Sequence, residues 1–203
     1  MRKIIVLALL MIPVCVSAQE TKKWTEAERK LLLDNLTRSR DELLKETEGL
    51  SKQQWSFKES EERWSINQIV EHLAFFELIF DREISRGLGA KPQVKAASDL
   101  KPDDYYTTFI MEEAVHETTD FTKPFTYSVP LGLNDIKNNL TWFVKMRNES
   151  IDYVKNTSDD LRVYYRNGGN QDLHQTYLYV FGHVDRHLRQ IRKVKQHKNY
   201  PAK

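Results

Sequence analysis

Residues 64–84, WSINQIVEHLAFFELIFDREI, decide the fold class of this chain. Ser65 and Gln68 have the spacing of a capping box, in which each side chain binds the other residue's backbone N–H group. Trp64 and Ile69 flank this box at the positions of a hydrophobic staple. Apolar residues then recur at helical spacing up to residue 84, and two glycines follow as a stop signal. The segment therefore predicts an amphipathic helix that ends near residue 86.

Three other segments carry helix signals of the same kind. A capping box at Thr25 and Glu28 opens a helix of about residues 26–48. Apolar stripes then predict a helix from near Asn134 to residue 156 and another from Asp172 to about residue 197. No strand pattern of comparable length occurs. The chain is predicted to be all-α, an antiparallel four-helix bundle with a long crossover between its second and third helices.

The crossover is the least regular part of the sequence. Four prolines interrupt the pattern between residues 88 and 133, although residues 104–117 are compatible with a short helix. The length of 203 residues allows one compact domain, which we assign to residues 19–203. Lysine plus arginine number 31 against 29 acidic residues, so no strong basic field favours nucleic acid as a partner. A single cysteine excludes an internal disulfide scaffold.

The first eighteen residues have the pattern of a secretory signal peptide. Arg2 and Lys3 precede the apolar run 4–16, and Val16-Ser17-Ala18 places small residues at a cleavage site. The run is too short for a permanent transmembrane helix, so we expect no stable membrane insertion after cleavage. The residues before Cys15 lack the small side chain expected at a lipidation site, which disfavours a lipoprotein. The sequence predicts export to a periplasmic or extracellular location.

Two histidines in the last predicted helix are candidates for metal ligands. His183 and His187 are spaced i, i+4 and border the apolar stripe, so both rings should point into the bundle. Imidazoles one turn apart can converge on one divalent ion. The alternative is that these residues are hydrogen-bonded core histidines. Two such rings in a dry core would each need partners for both nitrogens, which a shared metal ion would supply.

His72 is the third candidate ligand. It lies on the flank of the buried stripe of the second predicted helix. If the second and last helices are neighbours, the three histidines form a three-nitrogen site with coordination positions left for water, as in catalytic zinc sites. His116, His174 and His197 fit this arrangement poorly and are expected to be solvated. Motifs of thermolysin-like proteases, nucleotide-binding loops and serine hydrolases are absent.

These residues resemble the DinB-like (DinB/YfiT) superfamily of four-helix-bundle metalloenzymes. The resemblance spans nearly the whole chain after residue 18 and is carried by Gly49-Leu50-Ser51, Trp64-Ser65-Ile66, His72-Leu73 and His183-x-x-Arg186-His187-x-x-Gln190-Ile191. It implies a divalent ion, zinc or nickel, held by His72, His183 and His187 with water completing the coordination. It leaves the reaction open, because members include thiol transferases and possible hydrolases, and fold does not settle function.

The sequence therefore predicts a metal-dependent hydrolase or group-transfer enzyme acting on an unidentified small molecule. The alternative is a noncatalytic metal-binding or structural, stress-associated module of the same family. Gln190, three residues after His187, is a candidate to hydrogen-bond a ligand imidazole or the substrate. Glu71, Glu77 and Asp185 are candidates to hold an imidazole or move a proton, with a solvated helix face as the alternative. A homodimer is compatible with a bundle of this size.

Overall fold

The computed structural model of the chain describes residues 23–111, 129–132 and 135–202. Within these ranges the regular structure is entirely helical, which confirms the predicted all-α four-helix bundle. The long helices are α1 (Glu26–Thr47), α3 (Ile66–Leu88), α5 (Ile136–Asn156) and α6 (Leu173–Lys195), with the short helices α2 (Lys52–Ser56) and α4 (Asp103–Met111) between them. None of the described helices is both long and apolar enough to cross a membrane.

Side-chain caps fix where the long helices begin. The predicted boxes at Thr25 with Glu28 and at Ser65 with Gln68 both form, and Asp172 makes a third box at the start of α6. Asp135 caps α5 by accepting a hydrogen bond from the N–H of residue 138 at 2.8 Å. Each cap satisfies N–H groups that have no partner inside the helix. The helix boundaries therefore follow from local sequence, as expected.

The four long helices form two parallel pairs packed against each other. Helices α1 and α3 each pack against both α5 and α6. Helix α1 runs parallel to α6, because the contacts Arg38 with Asp185 and Glu46 with Lys195 follow one another in the same order along both helices. Helix α3 runs parallel to α5 for the same reason, as shown by the contacts Asn67 with Asn139 and Glu77 with Arg147. His72 lies against His183 and Gly87 lies against Leu173, so α3 is antiparallel to α6. The crossover, which contains α4, allows the successive long helices α3 and α5 to be parallel.

Helix α4 lies within the crossover and packs along α6. Its start contacts the start of α6, where the Gln175 amide donates to Asp103 at 3.0 Å, and its end is held by Arg189, which donates to the carbonyl of Met111 at 2.6 Å. The first part of the short helix predicted over 104–117 is thus present in the structure. Residues 112–128 lie outside the described ranges. Helix α4 therefore covers a side of α6 that the bundle alone would leave exposed.

A close approach between α4 and α6 depends on Gly182. A Cβ atom added there would lie 2.7 Å from Cγ2 of Ile110, a buried side chain of α4. We expect Gly182→Ala to lower the free energy of unfolding by about 1 kcal/mol, because overpacking costs about 1–3 kcal/mol and outweighs the gain in helix propensity of about 1 kcal/mol.

The effect of Gly182→Ala on the free energy of unfolding should change sign when Ile110 is shortened. In an Ile110→Ala background the clash is removed and the helix propensity of alanine remains, so Gly182→Ala should raise the urea midpoint. Urea unfolding of the wild type, both single variants and the double variant measures this cycle. Equal effects of Gly182→Ala in the two backgrounds would contradict the close packing.

Candidate metal centre

Helices α3 and α6 bring the three candidate histidines together, since these helices pack side by side. His72 lies in the second turn of α3, and His183 and His187 lie on consecutive turns of α6. All three side chains are buried, with exposed fractions of 0, 5 and 0%. Their Nε2 atoms converge, at 3.3 Å between His72 and His183 and at 3.2 Å between His183 and His187. The neighbouring helices that the sequence argument required are therefore present.

The spacing of the three nitrogens fits a tetrahedral metal ion. Two imidazole nitrogens that each lie 2.0–2.1 Å from a tetrahedral zinc ion are about 3.3 Å apart. A hydrogen on His183 Nε2 can be donated to only one of its two nitrogen neighbours, whereas a metal ion can accept a lone pair from all three nitrogens. Three imidazoles that leave a fourth coordination position to water are also the ligand set of catalytic zinc. The residues present therefore fit a divalent ion.

Aromatic rings surround the histidine cluster. The Trp64 ring lies 4.8 Å from the His72 ring and stacks on His187 at 6.5 Å between centroids. Phe76 contacts His72 at 4.7 Å and His183 at 4.4 Å. These rings limit the access of water to the three nitrogens, and a low local dielectric strengthens electrostatic interactions inside the site.

Gln190 contacts the Nδ1 atom of His187, the ring nitrogen that does not face the other histidines. Its Oε1 atom lies 2.9 Å from Nδ1 of His187, and because an amide oxygen only accepts, the proton sits on Nδ1 in this arrangement. The Nε2 atom of His187 then presents its lone pair to the other histidines. The candidate role of Gln190 as a hydrogen-bond partner of a ligand imidazole thus has the geometry that it requires.

The proposed role of Gln190 predicts a specific pattern among its variants. We expect Gln190→Ala to weaken metal binding by about 10–100-fold, because the His187 ring loses the partner that orients it. Gln190→Glu keeps an acceptor oxygen and should retain most of the affinity. Competition with a chromophoric chelator for zinc measures both variants. Equal affinity of Gln190→Ala and the wild type would exclude this role.

Burial sets the protonation state of His183. Desolvation lowers the pKa of its imidazole well below the ordinary value of 6.5, and the neighbouring His187 and His72 lower it further. The ring is therefore neutral near pH 7, and a lone pair on Nε2 is available to an ion.

The lowered pKa of His183 predicts acid sensitivity of the metal-free protein. Between the lowered folded pKa and the unfolded value of about 6.5, the unfolded state binds a proton that the folded state does not. Stability should therefore fall as pH decreases below about 6.5, by up to about 1.4 kcal/mol per pH unit from this group. Urea unfolding after chelator treatment, at pH 7.5, 6.5 and 5.5, checks this. His183→Gln should show a shallower pH dependence, and an equal slope would contradict the assignment.

A second cluster of possible ligand atoms is organised by an arginine. Glu28, Asp103 and His174 lie within metal-ligating distance of one another. Arg162 donates to Glu28 at 2.6 Å, to Asp103 at 2.7 Å and to Asp172 at 3.0 Å. Its guanidinium group already supplies a cation to these carboxylates. This cluster ties together the starts of α1, α4 and α6 and is a structural network.

The solvated position expected for His174 is wrong. The side chain is only 2% exposed, and its Nδ1 atom accepts a hydrogen bond from the Trp24 indole at 3.1 Å. The physical reason is α4, which packs along this part of α6 and covers the face opposite the apolar stripe. His197 is half-buried beside Phe57, and His116 lies outside the described residues.

The three acidic candidates occupy different surroundings. Asp185 accepts two hydrogen bonds from Arg38 on the α1–α6 surface, at 2.9 and 2.8 Å. Glu77 pairs with Arg147 inside the bundle, and Glu71 is buried between α3 and the residues before α5. The solvated helix face considered for Glu71 and Glu77 is therefore wrong. No hydrogen bond between these three carboxylates and the histidine cluster is found within the described ranges.

The fold and this site define an all-α bundle with a buried three-histidine centre between two of its long helices. A family model of the DinB superfamily matches residues 35–191, which is most of the chain. The chain belongs to the DinB superfamily.

A solved structure supports the same fold. YfiT from Bacillus subtilis, described as "a probable metal-dependent hydrolase with an unusual four-helix bundle topology", is similar with a TM-score of 0.56. The match covers 89% of this chain and 93% of that chain at 13% sequence identity, so it shows a shared fold. A comparison with curated proteins finds no match.

Proposed function

We propose that this chain is an exported metal-dependent enzyme, a hydrolase or group transferase that acts on a small molecule. His72, His183 and His187 would hold one divalent ion, zinc or nickel. The observation that carries the proposal is the convergence of three buried Nε2 atoms within 4.8 Å of one another. The description of the YfiT structure as a probable metal-dependent hydrolase supports the same class of reaction.

Each residue around the site has a defined task in this proposal. A bound divalent ion would act as a Lewis acid and would lower the pKa of a coordinated water toward about 7. The lowered pKa of His183 keeps its ring neutral and able to coordinate. Gln190 Oε1 would accept a hydrogen bond from Nδ1–H of His187 and so direct the opposite nitrogen, Nε2, to the centre. Trp64 and Phe76 shield the histidine rings from bulk water and shape the space beside them.

Export is the second part of the proposal. It rests on the signal-peptide pattern of residues 1–18, which would be removed to leave a chain without cysteine. A three-imidazole site needs no thiolate, so it is compatible with an oxidising compartment outside the cytosol. The proposal includes a homodimer, because that oligomeric state is compatible with a helical bundle of this size.

The experiment that tests the enzyme assignment asks whether the site has an open coordination position. The chain from residue 19 onward is loaded with cobalt(II), and its visible spectrum is recorded while azide is added. A spectrum that changes saturably shows that an added ligand reaches the ion, as a catalytic site requires. His197→Gln, a histidine variant outside the cluster, is the matched control and should behave like the wild type.

Two outcomes would contradict the assignment. A cobalt spectrum that does not respond to azide indicates a closed site, which favours the noncatalytic metal-binding module. Failure to take up cobalt or zinc after reconstitution, measured by inductively coupled plasma mass spectrometry, would reject the three-histidine centre itself. The three residues would then be core histidines of the bundle.

A further inference from the structure

The ring of His183 is held differently from the ring of His187. The Nδ1 atom of His187 is hydrogen-bonded to Gln190, whereas the contacts of His183 with His72 and His187 both run through Nε2. No hydrogen-bond partner of His183 Nδ1 is found among the described residues. Histidines that bind metal ions generally use this second ring nitrogen for a hydrogen bond that fixes the ring. Within the described part of the chain, packing takes the place of that hydrogen bond.

Three aromatic rings pack around the His183 imidazole. The Phe76 ring is the nearest, with 4.4 Å between ring centroids, and the rings of Phe80 and Tyr179 lie at 6.1 and 6.3 Å. Aromatic pairs are most favourable at centroid distances of about 4.5–7 Å. Because the surroundings of a buried side chain are close-packed, the imidazole can turn only if these rings move with it.

Phe76 contacts ligand candidates from both helices of the site. It lies one helical turn after His72 on α3, and its ring centroid is 4.7 Å from that of His72. Its contact with His183 reaches across to α6. The Phe76 side chain is itself partly buried against a core cluster, which holds it in place. One ring therefore sets the positions of two imidazoles relative to each other, and it leaves both Nε2 atoms free to converge.

Rings that are already ordered bind an ion more tightly than rings that are not. A side chain that becomes ordered only when the ion binds loses rotamer freedom at that moment, and the loss weakens the affinity. Packing that fixes the side chain beforehand removes this cost and holds the ligand atoms close to the productive geometry. The planar face of an aromatic ring provides such packing for an imidazole, whereas a branched aliphatic side chain does not.

We propose that Phe76 is a positioning residue of the three-histidine centre, which holds the rings of His72 and His183 in the geometry that a divalent ion requires. The inference rests on the proposed function, because it gives Phe76 a task toward the same ion. It also goes beyond the exclusion of water. An apolar side chain of any shape excludes water, whereas the packing of one residue against two imidazoles at these distances uses a flat ring.

Zinc affinities of four proteins test this role, measured on the chain from residue 19 onward by competition with a chromophoric chelator. Phe76→Leu keeps an apolar side chain without the ring and should weaken zinc binding about 10-fold relative to the wild type. Phe76→Tyr keeps the ring and should restore most of the affinity. Phe75→Leu is the matched control and should bind zinc like the wild type, because Phe75 is the neighbouring, partly buried residue and packs on Trp142 at 6.1 Å.

NMR of the metal-free proteins supplies a readout that does not depend on affinity. The imidazole resonances of His183 should be sharp in the wild type and in Phe75→Leu. In Phe76→Leu they should broaden, because the ring exchanges between orientations on the microsecond-to-millisecond timescale. Urea unfolding of the same proteins measures their stabilities. A purely structural role of Phe76 would lower the stability of both leucine variants and would leave the zinc affinity and the His183 resonances of both unchanged.

The results that would overturn the inference differ from those that would overturn the proposed function. Equal zinc affinities of Phe76→Leu and Phe75→Leu would reject the role of Phe76 and leave the metal centre intact. Weakened binding that Phe76→Tyr does not restore would assign the effect to the packing of α3 and not to the ring. Failure of the wild type to bind zinc would overturn the proposed function, and this inference with it. If Phe76→Leu does not fold, Phe76→Met takes its place in each comparison.

Discussion

Replacing Arg147 by methionine is expected to lower the free energy of unfolding by about 3–5 kcal/mol. The Arg147 side chain is fully buried and donates to Glu77 through two nitrogens, at 2.9 and 2.5 Å. It also donates to the Ser39 hydroxyl at 2.6 Å and to the carbonyl of Val180 at 3.4 Å, so it joins all four long helices. The variant leaves the Glu77 carboxylate buried without its partner. Urea unfolding at pH 7 measures the loss.

The same arginine-to-methionine change at a surface ion pair separates the effect of burial from the effect of losing a charge. Arg38→Met breaks the pair with Asp185 between α1 and α6, where the Arg38 side chain is 40% exposed. This variant should lose less than about 1 kcal/mol. The double variant Arg147→Met with Glu77→Leu should be more stable than Arg147→Met alone, because it removes the unpaired charge as well. A loss below about 1 kcal/mol in Arg147→Met would contradict a buried pair.

Zinc is expected to raise the melting temperature of the wild-type chain strongly. A ligand that binds only the folded state at a thousand times its dissociation constant stabilises it by about 4 kcal/mol, or roughly 8–16 °C for a chain of this size. The double variant His183→Ala with His187→Ala leaves only His72 and should show no zinc-dependent rise. Differential scanning calorimetry with and without zinc measures both proteins.

The control for this prediction is another histidine. His197→Ala removes an imidazole near the end of the chain that takes no part in the cluster, and it should retain the full rise. The metal content of the same samples, measured by mass spectrometry, should be close to one equivalent in the wild type and near zero in the double variant. A zinc-dependent rise that survives in the double variant would reject the three histidines as the ligands.

The parts of the fold that sequence predicts are those encoded locally. The capping boxes at Thr25 and Ser65 and the apolar stripes depend on residues within a few turns of one another, and they place the long helices within a few residues. The i, i+4 spacing of His183 and His187 fixes their common face for the same reason. The inward direction of His72 follows from its own stripe. The cluster was therefore accessible to prediction once α3 and α6 were taken as neighbours.

The burial of several polar residues could not be predicted from the sequence in this way. Glu71 is buried against the residues before α5, Glu77 against α5 and His174 against α4, all of which are remote in sequence. Periodicity reports the apolar face of a helix, and it does not report a second element that covers another face. The short helix α2 was missed although Ser51 and Gln54 carry the spacing of a capping box, because five residues are too few to show a period.

The parallel arrangement of α3 and α5 has a consequence for how the protein is made. His72 and His183 are 111 residues apart and meet only after the crossover and α5 have been traversed and α6 has been added. During synthesis, a chain that has emerged only as far as α5 carries one of the three histidines. The histidine cluster is therefore completed only after α6 has left the ribosome and has docked against α3.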